Sequence, residues 1–294
     1  MAINNSLTKQ NSNQRLGLSA YLTRDAVRDQ ITKVVGGKDG QRFISAIISA
    51  TTTNTALQEC TNQSILSGAL LGESLKLSPS PQLGHYYLVP FNDKEKGKVA
   101  QFQLGYKGYI QLAIRSGQYK KLNVMAVKEG ELEYFDPLNE DIKINMMVDD
   151  WDKREQAPTI GYYAFFELVN GFRKAIYWSK AQMEAHAIKY SPGYKRDREK
   201  GWNYTFWSKD FDGMAYKTML RQLISKWGVM SIELQTAYEG DMAVINDDGS
   251  RSYVELDEDI PAQETPVAPA DDDGTASDAA SALFGDQEGN GDAQ

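Results

Sequence analysis

Histidine and cysteine are almost missing from this 294-residue chain: His85, His186 and Cys60 are the whole supply. One cysteine forms no intrachain disulfide, which fits a reducing cytoplasm. Together with two histidines it cannot make an ordinary structural zinc site. Histidine-based catalysis has little material, and each histidine reads first as a structural side chain. Cys60 precedes Thr61 and Asn62 at a helix start and reads as a small buried hydrophobe, not a nucleophile. No stretch approaches 18 uninterrupted apolar residues, so no membrane span is expected. The polar opening MAINNSLTKQNSNQ contains no apolar signal-peptide core. Gly-Lys occurs at residues 37–38 and 97–98, but neither pair is followed by Ser or Thr or has the required earlier glycine. The loop that cradles nucleotide phosphates is therefore missing, and with it the common ATP motor.

What is present is charge, unevenly divided. Residues 239–294 hold 16 acidic residues and one basic residue, Arg251, a net −15. Residues 1–238 hold the other 31 Lys and Arg against 24 Asp and Glu, a net +7. A basic body with an acidic, aromatic-poor tail is the pattern of a polyanion-binding domain with an appendage. Three organisational units follow: a flexible arm over 1–20, a folded domain over 21–240, and a disordered acidic tail over 241–294. The tail has three open roles: covering a basic groove, recruiting a protein, or maintaining solubility.

Hydrophobic spacing predicts helices over 23–35, with Thr23 as cap, then over 41–50 and 63–77. Strands are expected at 85–90 and 99–104, and a helix at 106–116. On that helix Tyr106, Tyr109, Ile110 and Ala113 share one buried face, and Lys107, Gln111 and Arg115 form a polar stripe on another. Further strands are read at 121–127, 131–135 and 142–148, then a hairpin of 159–169 with 172–178 around Asn170-Gly171, read as a type I′ turn. Ser179 and Gln182 form a capping-box pattern. A loop is expected over 191–206, and a last strong helix over 208–227. The fold class is α+β, a small antiparallel sheet with hairpins packed against helices.

Two segments join cations to aromatics. Residues 98–128 contain six basic residues and no acidic one, and residues 173–226 contain twelve basic and five acidic. Single-stranded nucleic acid needs this combination, because cations follow phosphates while flat faces support unstacked bases. Amides such as Gln101, Gln103 and Gln111 add neutral hydrogen bonds. Tyr106, Tyr109 and Trp227 lie on apolar helical faces and are assigned to core, whereas Tyr204 and Phe206 divide evenly between core and ligand. On the last helix Lys217 and Arg221 share a face with Gly213, whose lack of a side chain would admit phosphates. Asp210 and Asp212 suit the positive end of that helix. The ten acidic residues between Glu129 and Glu155 read as a solvated rim, with a two-metal site as the rival.

The stretches QFQLGYKGYIQLAIRSGQYK (101–120), GYYAFFELVNGFRKAIYW (161–178), EAHAIKYS (184–191) and KDFDGMAYKTMLRQLISKWG (209–228) resemble the RecT family of phage and prophage single-strand annealing proteins. The resemblance covers roughly 20–240. It implies a fold similar to the core of other annealing proteins, and ATP-independent annealing of complementary strands in recombination without catalytic residues. It implies rings or helical filaments on single-stranded DNA, single-stranded and annealed duplex DNA as ligands, a partner 5′→3′ exonuclease and a host single-strand-binding protein, all in the bacterial cytoplasm. No cofactor is implied beyond Mg²⁺ as a modulator of DNA binding. The candidate DNA contacts are Lys98, Gln103, Lys107, Gln111, Arg115, Lys120, Lys121, Tyr204, Phe206, Lys209, Lys217, Arg221 and Lys226. The rivals are a passive single-strand-binding protein, a Mg²⁺-dependent nuclease and a protein-binding scaffold.

Overall fold

The computed structural model describes residues 17–36, 39–93, 96–246 and 248–253. The chain opens with helices α1 (Leu18–Leu22), α2 (Asp25–Val35) and α3 (Gly40–Thr53), a 3-10 turn (Thr55–Glu59) and α4 (Asn62–Ser74). Strands β1 (Tyr86–Asp93) and β2 (Gly97–Leu104) form a hairpin, followed by α5 (Tyr106–Arg115). Strand β3 (Tyr119–Lys128) precedes a small hairpin of β4 (Leu132–Asp136) and β5 (Asp141–Ile144), then α6 (Trp151–Gln156). The hairpin of β6 (Thr159–Leu168) and β7 (Arg173–Ser179) leads into α7 (Lys180–Tyr190), α8 (Pro192–Lys200), α9 (Phe206–Lys209) and α10 (Phe211–Trp227). Helix α11 (Ile232–Gly240) and strands β8 (Ala243–Ile245) and β9 (Arg251–Tyr253) complete the described chain.

All strand pairs are antiparallel and fall into three sheets, ordered β1-β2-β8-β9, β3-β6-β7 and β4-β5. Each large sheet packs against helices, giving two apolar cores. The first gathers Tyr86, Phe102, Leu104 and Tyr109 with residues of α2 to α4 and α11. The second gathers Tyr162, Phe166, Met183 and Trp207. Helix α10 belongs to both: Leu220 and Ile224 enter the first core, and Ala215, Met219 and Leu223 enter the second. Apolar residues on two sides of one helix are the mark of a buried central element. The α+β class and the antiparallel sheets packed on helices are as the sequence predicts.

Several local expectations are corrected. Arg24, not Thr23, is the residue before α2, and Thr23 instead ends α1. The stretch 191–206 is mostly helix, since the Ser191 hydroxyl caps α8, Pro192 takes its first position and Gly201 closes it. At the β6–β7 turn only Gly171 has positive φ (86°). Gly171 N donates to Leu168 O at 3.0 Å and Leu168 N to Phe172 O at 2.8 Å. This is a three-residue loop with a glycine bulge, not the two-residue turn. Trp227 is 47% exposed instead of core, and Lys174 Nζ lies 3.6 Å from its ring centroid. Helix α1 begins at Leu18, and strands β8 and β9 lie beyond residue 240. Residues 1–16 of the arm and 254–294 of the tail lie outside the described residues.

Candidate nucleic-acid interface

Helix α10 starts at a strong cap. Asp210 Oδ1 accepts from Gly213 N at 2.9 Å, and a Cβ on Gly213 would meet the Asp210 carboxylate at 2.2 Å. The glycine therefore makes room for its own helix cap, not for phosphates. Asp212 leaves the helix end to accept from the Tyr162 hydroxyl at 2.5 Å.

One helical turn further on, Lys217 and Arg221 do share a face, as their spacing of four requires. They do not meet solvent alone. Lys217 Nζ donates to Asp241 Oδ1 at 2.9 Å, and Arg221 Nη1 to Asp241 Oδ2 at 2.6 Å. Asp241 is 1% exposed and also accepts from Leu104 N at 2.9 Å and the Tyr109 hydroxyl at 3.4 Å. Burial works against the Arg221 charge, but Tyr109 and Asp241 more than offset this and hold its pKa above the ordinary guanidinium value. The Tyr238 ring lies 4.1 Å from the guanidinium carbon. A left-handed turn at Met242 (φ 66°) brings Asp241 under α10, held by Met242 N donating to Phe102 O at 2.8 Å. Two cations on one anion leave the cluster with one net positive charge.

These groups line a cleft of about 580 Å³ between the two large sheets, with α10 as its floor. Gln103 and Phe206 from the predicted set lie in it, along with Lys217, Arg221 and Lys226. The sequence reading missed Trp178 of β7, His186 and Tyr190 of α7, and Gln222 and Asp241. A smaller hollow shares Gln103, Phe206, Met214 and Lys217 and runs on to Gly105 and Tyr106, the start of α5. Lys226 is exposed, whereas Lys217 and Phe206 are each 8% exposed. The Gln103 amide donates inward to Gln101 at 2.9 Å. The α9 wall is anchored by buried Asp197, which accepts from Tyr204 N, Thr205 N, the Thr205 hydroxyl and the Ser208 hydroxyl at 2.6–3.0 Å. Burial opposes its charge, yet these hydrogen bonds prevail and hold its pKa below the ordinary aspartate value.

The remaining predicted contacts lie elsewhere. Lys107, Gln111 and Arg115 form the expected stripe on α5, where Arg115 donates to Lys76 O at 3.5 Å. Burial first, then Arg115 and Lys107, lower the pKa of neighbouring His85. Lys120 and Lys121, joined by Arg173, surround Glu167 at 2.7, 3.7 and 3.0 Å. Lys98 pairs with Glu59 beside the start of α4. Tyr204 is 41% exposed and meets Trp202 edge-on, and Lys209 is exposed at the end of α9. The acidic middle does not converge. Glu131 pairs with Arg154, Glu133 with Lys143 and Glu140 with Lys174, while Asp136 and Asp150 accept from local backbone N–H groups. Among the described residues no group of three or more His, Cys, Asp or Glu is placed to hold a metal ion. No described helix is long and apolar enough to cross a membrane.

The mixed fold thus carries one cleft lined by both cations and aromatic rings. The RecT family matches residues 41–255, and the chain belongs to that family. It is 39% identical over 260 residues to "Uncharacterized protein YqaK" of Bacillus subtilis (strain 168), covering 87% of this chain and 82% of that protein. It is 29% identical over 226 residues to "Protein RecT" of Escherichia coli (strain K12), covering 76% and 79%. Membership makes this a protein of DNA recombination, from a family of annealing proteins whose general partners are DNA and further copies of themselves.

Proposed function

We propose that this chain binds single-stranded DNA in the cleft above α10 and anneals it to a complementary strand without ATP. The observation that carries the proposal is the meeting of Lys217, Arg221 and Lys226 with amides and aromatic rings in one cleft. Annealing needs the first strand held by its backbone with its pairing edges open, so phosphate contacts dominate and base-specific ones are excluded. Base pairing itself supplies the driving energy. Copies side by side, in a ring or helical filament, extend the cleft into a track. Half-buried Lys107 and exposed Arg115 of α5 and the Lys120–Lys121–Arg173 group are the further phosphate contacts along it. A 5′→3′ exonuclease supplies the strand, and a host single-strand-binding protein is the competing coat. Mg²⁺ acts at most by screening phosphate, with no nucleotide cofactor.

The test mixes labelled complementary oligonucleotides with the protein in the absence of ATP. Accelerated pairing is expected. Binding should weaken with salt at a log–log slope of roughly −0.7 per phosphate neutralised. The exposed Lys226→Ala variant should melt like the parent and lose about one phosphate from that slope. Binding without acceleration would make the protein a passive coat, and a flat salt response would remove the groove altogether.

A further inference from the structure

The cleft has a second wall that the phosphate model does not use. Trp178 at the end of β7, and His186 and Tyr190 four residues apart on α7, line it together with the α10 cations. Their ring centroids are 5.3 Å apart for Trp178 and His186 and 4.6 Å apart for His186 and Tyr190. The interplanar angles are 57° and 45°, so the rings do not close face to face on one another. Exposure rises outward to 61% at Tyr190. Burial, then the charge of Lys189, lowers the pKa of His186, leaving a neutral flat ring between the other two. Lys189 Nζ lies 5.1 Å from the Tyr190 centroid at the same wall.

A row of aromatic rings and a set of cations lining one cleft match a polyanion that carries flat apolar groups. A simple anion would need the cations alone. We infer that Trp178, His186 and Tyr190 are base-contacting residues: they receive the faces of unstacked bases while α10 holds the phosphates. The inference rests on the proposed single-strand binding and deepens it. Contact through the face leaves the pairing edge of each base available, as annealing requires. It also gives the site a reason to prefer single strands, because duplex bases have no free faces.

The experiment compares oligothymidylate with an abasic oligonucleotide of equal length, which keeps the phosphates and removes the bases. Base stacking on aromatic side chains contributes roughly 1–3 kcal/mol per base, or about 5- to 150-fold in affinity. The parent protein should therefore bind oligothymidylate at least about fivefold more tightly. Tyr190→Ala, at an exposed position that leaves the fold intact, should narrow this ratio by lowering oligothymidylate affinity alone. Tyr190→Phe should restore it, and Trp178→Leu should act as Tyr190→Ala does. Equal binding of both oligonucleotides by the parent would overturn the inference while leaving salt-dependent phosphate binding standing. Equal loss on both ligands in Tyr190→Ala and Trp178→Leu, or no loss on either, would also overturn it. Absence of salt-dependent binding to either ligand would instead sink the single-strand reading and this inference with it.

Discussion

Changing Asp241 to Asn removes one charge from a carboxylate that answers four donors. Lys217 Nζ at 2.9 Å and Arg221 Nη1 at 2.6 Å lose their anion, and Leu104 N and the Tyr109 hydroxyl lose a charged acceptor. Lys217 has nowhere to go, being 8% exposed. Breaking one partner out of a buried ion pair typically costs about 3–5 kcal/mol, because the remaining charge is stranded. In a domain of this size each kcal/mol lowers the melting temperature by about 2–4 °C. Asp241→Asn should therefore melt about 6–20 °C below the parent by differential scanning calorimetry. The same change in a Lys217→Met background should cost less, because one stranded cation is already gone. A double-mutant cycle should show that non-additivity as about 0.5–3 kcal/mol. A variant melting within about 2 °C of the parent, or strictly additive effects, would refute the claim that Asp241 neutralises the α10 pair.

Other outcomes follow from the same geometry. Asp197→Ala leaves two backbone N–H groups and two hydroxyls without their acceptor, at about 1–3 kcal/mol for each donor left unsatisfied; urea titration should show a lower midpoint and protease cleavage should appear near 201–205. His85 and His186 both have folded pKa values lowered by burial, so the unfolded chain, titrating near 6.5, binds more protons as pH falls below about 7. Their contribution to stability should decline from pH 7.5 towards 5.5, and His186→Gln should flatten the dependence of the urea midpoint on pH. Cys60 is buried and should react with a thiol reagent only as fast as the native chain opens, which stopped denaturant series can check.

How far the chain could be read without coordinates differs by element. The α5 stripe, the Ser179–Gln182 capping box and the β6–β7 hairpin were legible because they depend on spacing within one segment. The Lys217–Arg221 face was legible for the same reason. Its partner was not: Asp241 sits at the edge of an acidic run, and charge counting assigns it to the tail. Only the long-range return of β8 onto β2 reveals it as a structural anion. Trp178 and His186 were hidden differently, since a tryptophan at a strand end and a lone histidine have ordinary packing roles. Their place in one cleft with the α10 cations is a tertiary fact. Trp227 followed its helical period onto the apolar face, where Leu220, Leu223 and Ile224 are buried, yet it is the last residue of α10 and emerges into solvent.

Helix α10 runs like a common beam between the two apolar halves, and the charged trough is cut into its upper side. Neither half can loosen its grip on that beam without disturbing the other. A polymer pulled along the trough therefore loads both sheets at once, and the body should yield in one step, not as two parts in succession.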